Sequence, residues 1–164
     1  MTPMAPTRPI RPTIQFPGTA FRECRVKLAA TLAAAAQART EIEITLCAWQ
    51  VPVDPEVAVL LTSELVANAV THGAGEYVIL AVSCDRYEFR VDVHDASGDL
   101  PVLSDVPADA ETGRGLLLVT SLSTEWGFYR TPAGKAVYFV LGLEPDVHQP
   151  VNRVVDDGDA RSVS

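Results

Sequence analysis

The sequence predicts an α+β two-layer sandwich, a mainly antiparallel sheet with its helices segregated onto one face. Three observations lead there. Strong helix-forming segments fill the first half up to His72, two strand-like runs joined by a three-residue link follow, and after a long loop an apolar helix precedes a closing pair of strands. No internal repeat is visible.

In order, Thr13 to Phe16 is expected to form a short edge strand closed by the Pro17-Gly18 turn. From Thr19 to about Ala38 the chain is Ala-rich, with Phe21, Val26, Leu28 and Leu32 at near-helical spacing, which predicts a helix. The apolar stretch Glu41 to Gln50 reads as its continuation. Asp54 before Pro55 is a good N-cap with proline at the first helical position, and Glu56 adds first-turn acidity. That second helix should end at His72-Gly73, with Gly73 supplying a left-handed terminal residue.

Tyr77–Ser83 and Tyr87–His94, rich in Val, Ile and aromatics, read as an antiparallel hairpin across Cys84-Asp85-Arg86. Phe89, Val91 and Val93 alternate with Glu88, Arg90, Asp92 and His94, so one face is buried and the other is wet or lies near a ligand. The loop from Ala96 to Thr112 is long for a compact domain, a mark of function or mobility. A helix starting at Gly113-Arg114-Gly115 then carries Leu116 to about Leu122. Strands at roughly Thr124–Arg130 and Ala136–Leu143, linked by Thr131-Pro132-Ala133-Gly134, complete the pattern.

The 164 residues, 48% hydrophobic and 21% charged, suffice for one domain with a sizeable core. The folded unit is expected over 13–143, between a Pro-rich tail at 1–12 and an acidic tail at 144–164, neither with the apolar content to offset chain entropy. A net charge of −8 argues against binding a phosphate backbone, so nucleic acid is not expected as a partner. Cys24, Cys47 and Cys84 are too scattered for a disulfide framework or a zinc site. No apolar run is long enough for a membrane span and no signal-peptide pattern is present, so a cytoplasmic protein without membrane contact is expected.

The candidate chemistry starts in the second helix. At about 100° per residue, Glu64, Asn68 and His72 fall on the side of Val57, Leu61 and Leu65. Burying such polar groups without a partner costs roughly 1–3 kcal/mol each. Asn68 can offer an amide oxygen to a hard cation such as Mg²⁺, and Glu64, one turn earlier, can accept a proton from a hydroxyl or water. A polar core network satisfied by neighbouring groups explains the pair equally well from spacing alone. For His72, an interaction with the helix dipole is the commoner explanation.

Asp95, at a strand end, can accept from an exocyclic amine and so tell adenine from guanine, or can merely cap the turn Ala96-Ser97-Gly98. Gly113-Arg114-Gly115 lets a phosphate approach the free N–H groups of a helix start, and Arg114 can either reach a phosphate oxygen or stand in solvent. Lys135 reads as a turn residue, Trp49 and Trp126 as core, and His94 and His148 have no ligand spacing with His72.

The ordered set ELVANAVTH, HDASGD after a strand, TGRGLLLV and AGKAVYFVL resembles the GHKL ATPase superfamily of gyrase-type, sensor-histidine-kinase and MutL-type domains. More closely, it resembles the RsbW/SpoIIAB-type anti-sigma-factor serine/threonine kinases and their actinobacterial single-domain relatives. The likeness runs from roughly Phe16 to Leu143.

The resemblance implies the Bergerat α/β sandwich, with ATP and Mg²⁺ as cofactors. It places Asn68 on Mg²⁺, Glu64 as the base and Asp95 on adenine. Asn68, Asp95, Gly113, Arg114, Gly115 and Leu116 make up the nucleotide-binding set, and Ala96 to Thr112 would be a shortened lid.

The chain departs from the pattern at Ser97, where a flexible Gly is usual, and at Gly134-Lys135-Ala136-Val137, which lacks a Thr that supports the adenine site. These departures imply a stiffer hinge and weaker adenine binding. The implied activity is a Mg-ATP-dependent serine/threonine kinase acting on an anti-anti-sigma-like partner and releasing a sigma factor. The alternative is a nucleotide-sensing module that binds a sigma factor or antagonist without phosphoryl transfer. Homodimerisation is common among such relatives, but no residue pattern here identifies an interface.

Overall fold

The structure, a computed structural model, describes residues 21–98 and 111–143, with side chains in the last helix described from Gly115 onward. The expected Thr13–Phe16 strand, both tails and most of the loop after Gly98 lie outside the described residues. The element order is β1 (Arg22–Ala29), α1 (Ala34–Trp49), α2 (Pro55–His72), β2 (Tyr77–Cys84), β3 (Glu88–Asp95), α3 (Glu111–Leu122), β4 (Glu125–Thr131) and β5 (Gly134–Gly142). Among the described residues the strands form one five-stranded sheet, ordered β1-β2-β3-β5-β4, with every neighbouring pair antiparallel. The α+β sandwich expected from the sequence is the observed fold.

The helix expected from Thr19 to Ala38 is not one element. Its first part is the edge strand β1, which pairs with β2 from Arg22↔Cys84 to Ala29↔Tyr77. Val26 and Leu28 are buried while Arg25 and Lys27 are exposed, so a period of two overrides the helical propensity of the neighbouring alanines. Leu32, expected on an apolar helix face, is 98% exposed in the turn ahead of α1. The alanine run itself does start a helix, and α1 buries Ala34, Ala38, Ile42 and Leu46, spaced four residues apart.

Helix α2 begins as expected. Asp54 accepts a hydrogen bond from the Glu56 N–H at 2.9 Å, and Pro55 occupies the first turn, where a missing donor costs nothing. It ends at His72, but Gly73 is extended (φ −79°, ψ −175°), not left-handed. Glycine is required there by proximity instead. A Cβ on Gly73 would strike the Ala69 carbonyl oxygen and lie 2.9 Å from Asp95 Cγ.

All three helices cover one face of the sheet. There Val26, Leu28, Leu80, Val91, Val93 and Phe139 meet Ile42 of α1, Leu61 and Val66 of α2, and Val119 of α3, with Trp49 and Trp126 packed at the margin. Removing that much aliphatic and aromatic surface from water is the main favourable contribution to such a fold.

The opposite face carries the polar residues of β3. Asp92, expected to be wet or near a ligand, is buried. It accepts from Arg90 Nε and Nη2, both at 2.9 Å, and from the Tyr129 hydroxyl at 2.9 Å, while the Arg90 guanidinium lies over the Tyr138 ring. Asp92 is therefore held by neighbouring side chains of its own face.

Candidate functional site

Glu64 and Asn68 lie one turn apart on α2, between the buried Leu61 and Leu65 and the helix end. Both are half-buried, and His72 is exposed. The apolar stripe therefore carries the two polar groups on its margin and not within the core, and His72 does not join them. The residue that closes over them comes from α3. A Cβ on Gly115 would lie 2.6 Å from Glu64 Oε2 and 3.6 Å from Asn68 Nδ2. Gly115 is buried against this pair because it has no side chain.

Helix α3 starts at Glu111, two residues earlier than the sequence suggested, so Gly113 and Gly115 lie in its opening turns and not ahead of them. Through Gly115 the N-terminal part of α3 lies beside Glu64 and Asn68, and the start of a helix is the end that favours an anion. Leu116 is half-buried next to Gly115. The side chain of Arg114 and most of the expected lid, residues 99–110, lie outside the described set.

At the far end of α2 stands Asp95, the last residue of β3. Gly73 and Gly134 each bring backbone against it, and a Cβ on Gly134 would meet the Asp95 carbonyl oxygen and lie 2.7 Å from the Ala96 backbone. The Ala96 N–H donates to the Ala74 carbonyl at 3.0 Å, which ties the loop after β3 to the segment after α2. Asp95 Oδ1 accepts from the buried Ser97 N–H at 2.7 Å, an Asx-turn. The turn-capping role expected of Asp95 is therefore observed.

Asp95 Oδ2 faces Lys135 Nζ at 3.3 Å, with side-chain exposures of 2% and 8%. The two residues are direct cross-strand partners in the β3–β5 ladder. Lys135 is not a solvent-facing turn residue, and sequence reasoning missed it. Its signal was the period of β5, where Lys135 heads the inward series Val137, Phe139 and Leu141.

From Glu64 to His72 the helix spans about 12 Å of axis, with a proton acceptor and an amide near one end and a buried carboxylate beyond the other. A profile of the histidine kinase-like ATPase domain matches residues 27–141, nearly the whole described fold. The chain belongs to that family. It is a histidine kinase-like ATPase domain, which implies ATP binding. No curated protein matches the chain.

The donor set of this histidine kinase-like ATPase domain suits a hard cation. Glu64 and Asn68, a carboxylate and an amide, lie one turn apart beside Gly115 near the start of α3, where Glu64 Oε2 and Asn68 Nδ2 are the nearest polar atoms. Among the described residues no cluster of three or more His, Cys, Asp or Glu side chains is present. A cation shared with nucleotide phosphates and water would match such a sparse set, as Mg²⁺ prefers. No helix of the described residues is long and apolar enough to cross a membrane.

Proposed function

We propose that this domain is a Mg-ATP-dependent protein serine/threonine kinase of the anti-sigma-factor type, cytoplasmic, acting on an anti-anti-sigma-like protein and controlling a sigma factor. The observation that carries the reading is the approach of Gly115 in α3 to Glu64 and Asn68 in α2. It unites a phosphate-favouring helix start, a proton acceptor and a metal-type amide at one place.

In the proposed reaction the partner's serine oxygen attacks the γ-phosphorus, its proton passes to the Glu64 carboxylate, and ADP leaves with the electrons of the broken bond. Gly113, Gly115 and the N–H groups of α3 would contact phosphates, and Asn68 would hold Mg²⁺, which offsets charge on the phosphate oxygens. Asp95 would read the base. The protein's share in the rate is positioning and charge stabilisation.

The alternative is a nucleotide-sensing module that binds a sigma factor or antagonist without phosphoryl transfer, and the ion pair of Asp95 with Lys135 bears on its hold on the base. Calorimetric titration of ATP with and without Mg²⁺, with Asn68→Ala as control, tests the site. Mg²⁺-dependent binding lost in Asn68→Ala is expected, and absence of ATP binding to the wild type would end the reading. Transfer of labelled phosphate to the partner separates the two roles. The kinase reading expects Glu64→Ala to abolish transfer while nucleotide binding persists, whereas binding without transfer by the wild type leaves the sensing module.

A further inference from the structure

We propose that the edge strand β4 pairs with β4 of a second copy of this chain, antiparallel and centred on Phe128, which joins two five-stranded sheets into one continuous sheet.

The edges of the sheet are β1 and β4, and among the described residues no strand pairs with the outer side of either. An unpaired edge presents a row of N–H and C=O groups that another chain can complete, and charged side chains along the strand are a usual guard against this. β1 has that guard in Arg25 and Lys27, both exposed. β4 has charges only at Glu125 and Arg130, with Trp126, Gly127, Phe128 and Tyr129 between them. Phe128 is 40% exposed and Tyr129 38%, and the adjoining helix α3 exposes Leu117, Leu118 and Leu122. The exposed large apolar side chains are thus concentrated between residues 117 and 129, as at an interaction surface.

The strand is also complementary to itself. Directly opposed residues of an antiparallel pair share a face, so two such sheets join smoothly only if each residue meets one of its own face. In β4, Trp126, Phe128 and Arg130 lie on the helix side, opposite Phe139, Val137 and Lys135, while Glu125, Gly127, Tyr129 and Thr131 lie on the other side. Because β4 has seven residues, the register that overlaps its whole length meets this condition. Phe128 then faces Phe128 across a two-fold axis, Trp126 faces Arg130, Gly127 faces Tyr129 and Glu125 faces Thr131. No like charges oppose, and the guanidinium of each copy stands beside an indole of the other. Arg130 Nη1 donates to the Gly98 carbonyl at 3.1 Å, a bond in the guanidinium plane that does not use its face.

β1 lacks this property. It has eight residues, so full overlap with itself would oppose helix-facing and outward-facing side chains. A shift by one residue restores the faces but sets Arg25 against Arg25 in one direction and against Lys27 in the other, and like charges so placed are destabilising. The contrast between the edges selects β4, and a second copy as its occupant.

The test is sedimentation equilibrium of the full chain, without nucleotide, over a range of concentrations. A species of twice the 17.6 kDa chain mass is expected. Phe128→Lys and Phe128→Glu each set like charges against one another across the axis and are expected to weaken association at least about ten-fold. An equal mixture of the two should recover it, since opposite charges then meet, and such recovery excludes misfolding as the cause of the loss. Arg130→Glu changes an exposed side chain and is expected to weaken association about three-fold or more, which decides the matter if the Phe128 variants do not fold. A wild type that stays monomeric, a dimer that the variants leave unchanged, or a mixture that fails to recover overturns the pairing.

Discussion

Gly115 of α3 lies so close to Glu64 of α2 that a methyl group on it would stand 2.6 Å from the carboxylate oxygen Oε2. The contact makes the two residues energetically dependent on each other. Alanine is favoured over glycine inside a helix by up to about 1 kcal/mol. In Gly115→Ala that gain is offset by displacement of the Glu64 side chain, whereas in a Glu64→Ala background it is realised. Urea unfolding of the two single variants and the double variant should give a coupling on the order of 0.5–3 kcal/mol. Additivity would mean that Glu64 and Gly115 do not share the space.

Most of this architecture was legible in the chain because local and tertiary preferences agreed. Asp54-Pro55-Glu56 starts α2 where a cap and a proline require it, and the two hairpins follow the period of their apolar residues. Arg22–Ala29 was misread because the alanines after it favour helix, while the pairing that makes it a strand lies some fifty residues away in Tyr77–Cys84. Gly73 was read from a local rule about helix ends, but its reason is a close approach to Asp95, which only the folded chain reveals. Lys135 was hidden for the same cause. The sequence shows a polar residue after a glycine, and the ladder shows a buried cation opposite a buried carboxylate.

Asp92 is the second prediction. It takes two hydrogen bonds from Arg90 and one from Tyr129 on the face of the sheet away from the helices. Asp92→Ala leaves the guanidinium of Arg90 without its partner, and because Arg90 is 31% exposed, water recovers part of the loss. A cost of about 1–3 kcal/mol is expected in urea unfolding. Tyr129→Phe removes only a hydroxyl and should cost about 1 kcal/mol or less, and the double variant should cost less than the sum. Equal and additive losses would show that the three groups do not act as a unit.

His94 supplies the pH prediction. It lies on the same face as Asp92, half-buried, with Nε2 enclosed and without a hydrogen-bond partner and its ring edge-on to Tyr129. Burial lowers its pKa below the ordinary histidine value; Asp92 and Asp95 pull it up, and Arg25 pushes it down. In the window between the lowered folded value and the ordinary value near 6.5, the unfolded chain binds the proton more readily, so stability is lost as pH falls through that window and no further loss comes from this group below it. Carboxylates also titrate on the acid side, so the readout is a difference between proteins. Unfolding free energy measured from pH 8 downward should fall more steeply in the wild type than in His94→Gln, with the two curves parallel above the ordinary histidine pKa. Curves that stay parallel through the whole range would mean that His94 holds its proton equally well folded and unfolded.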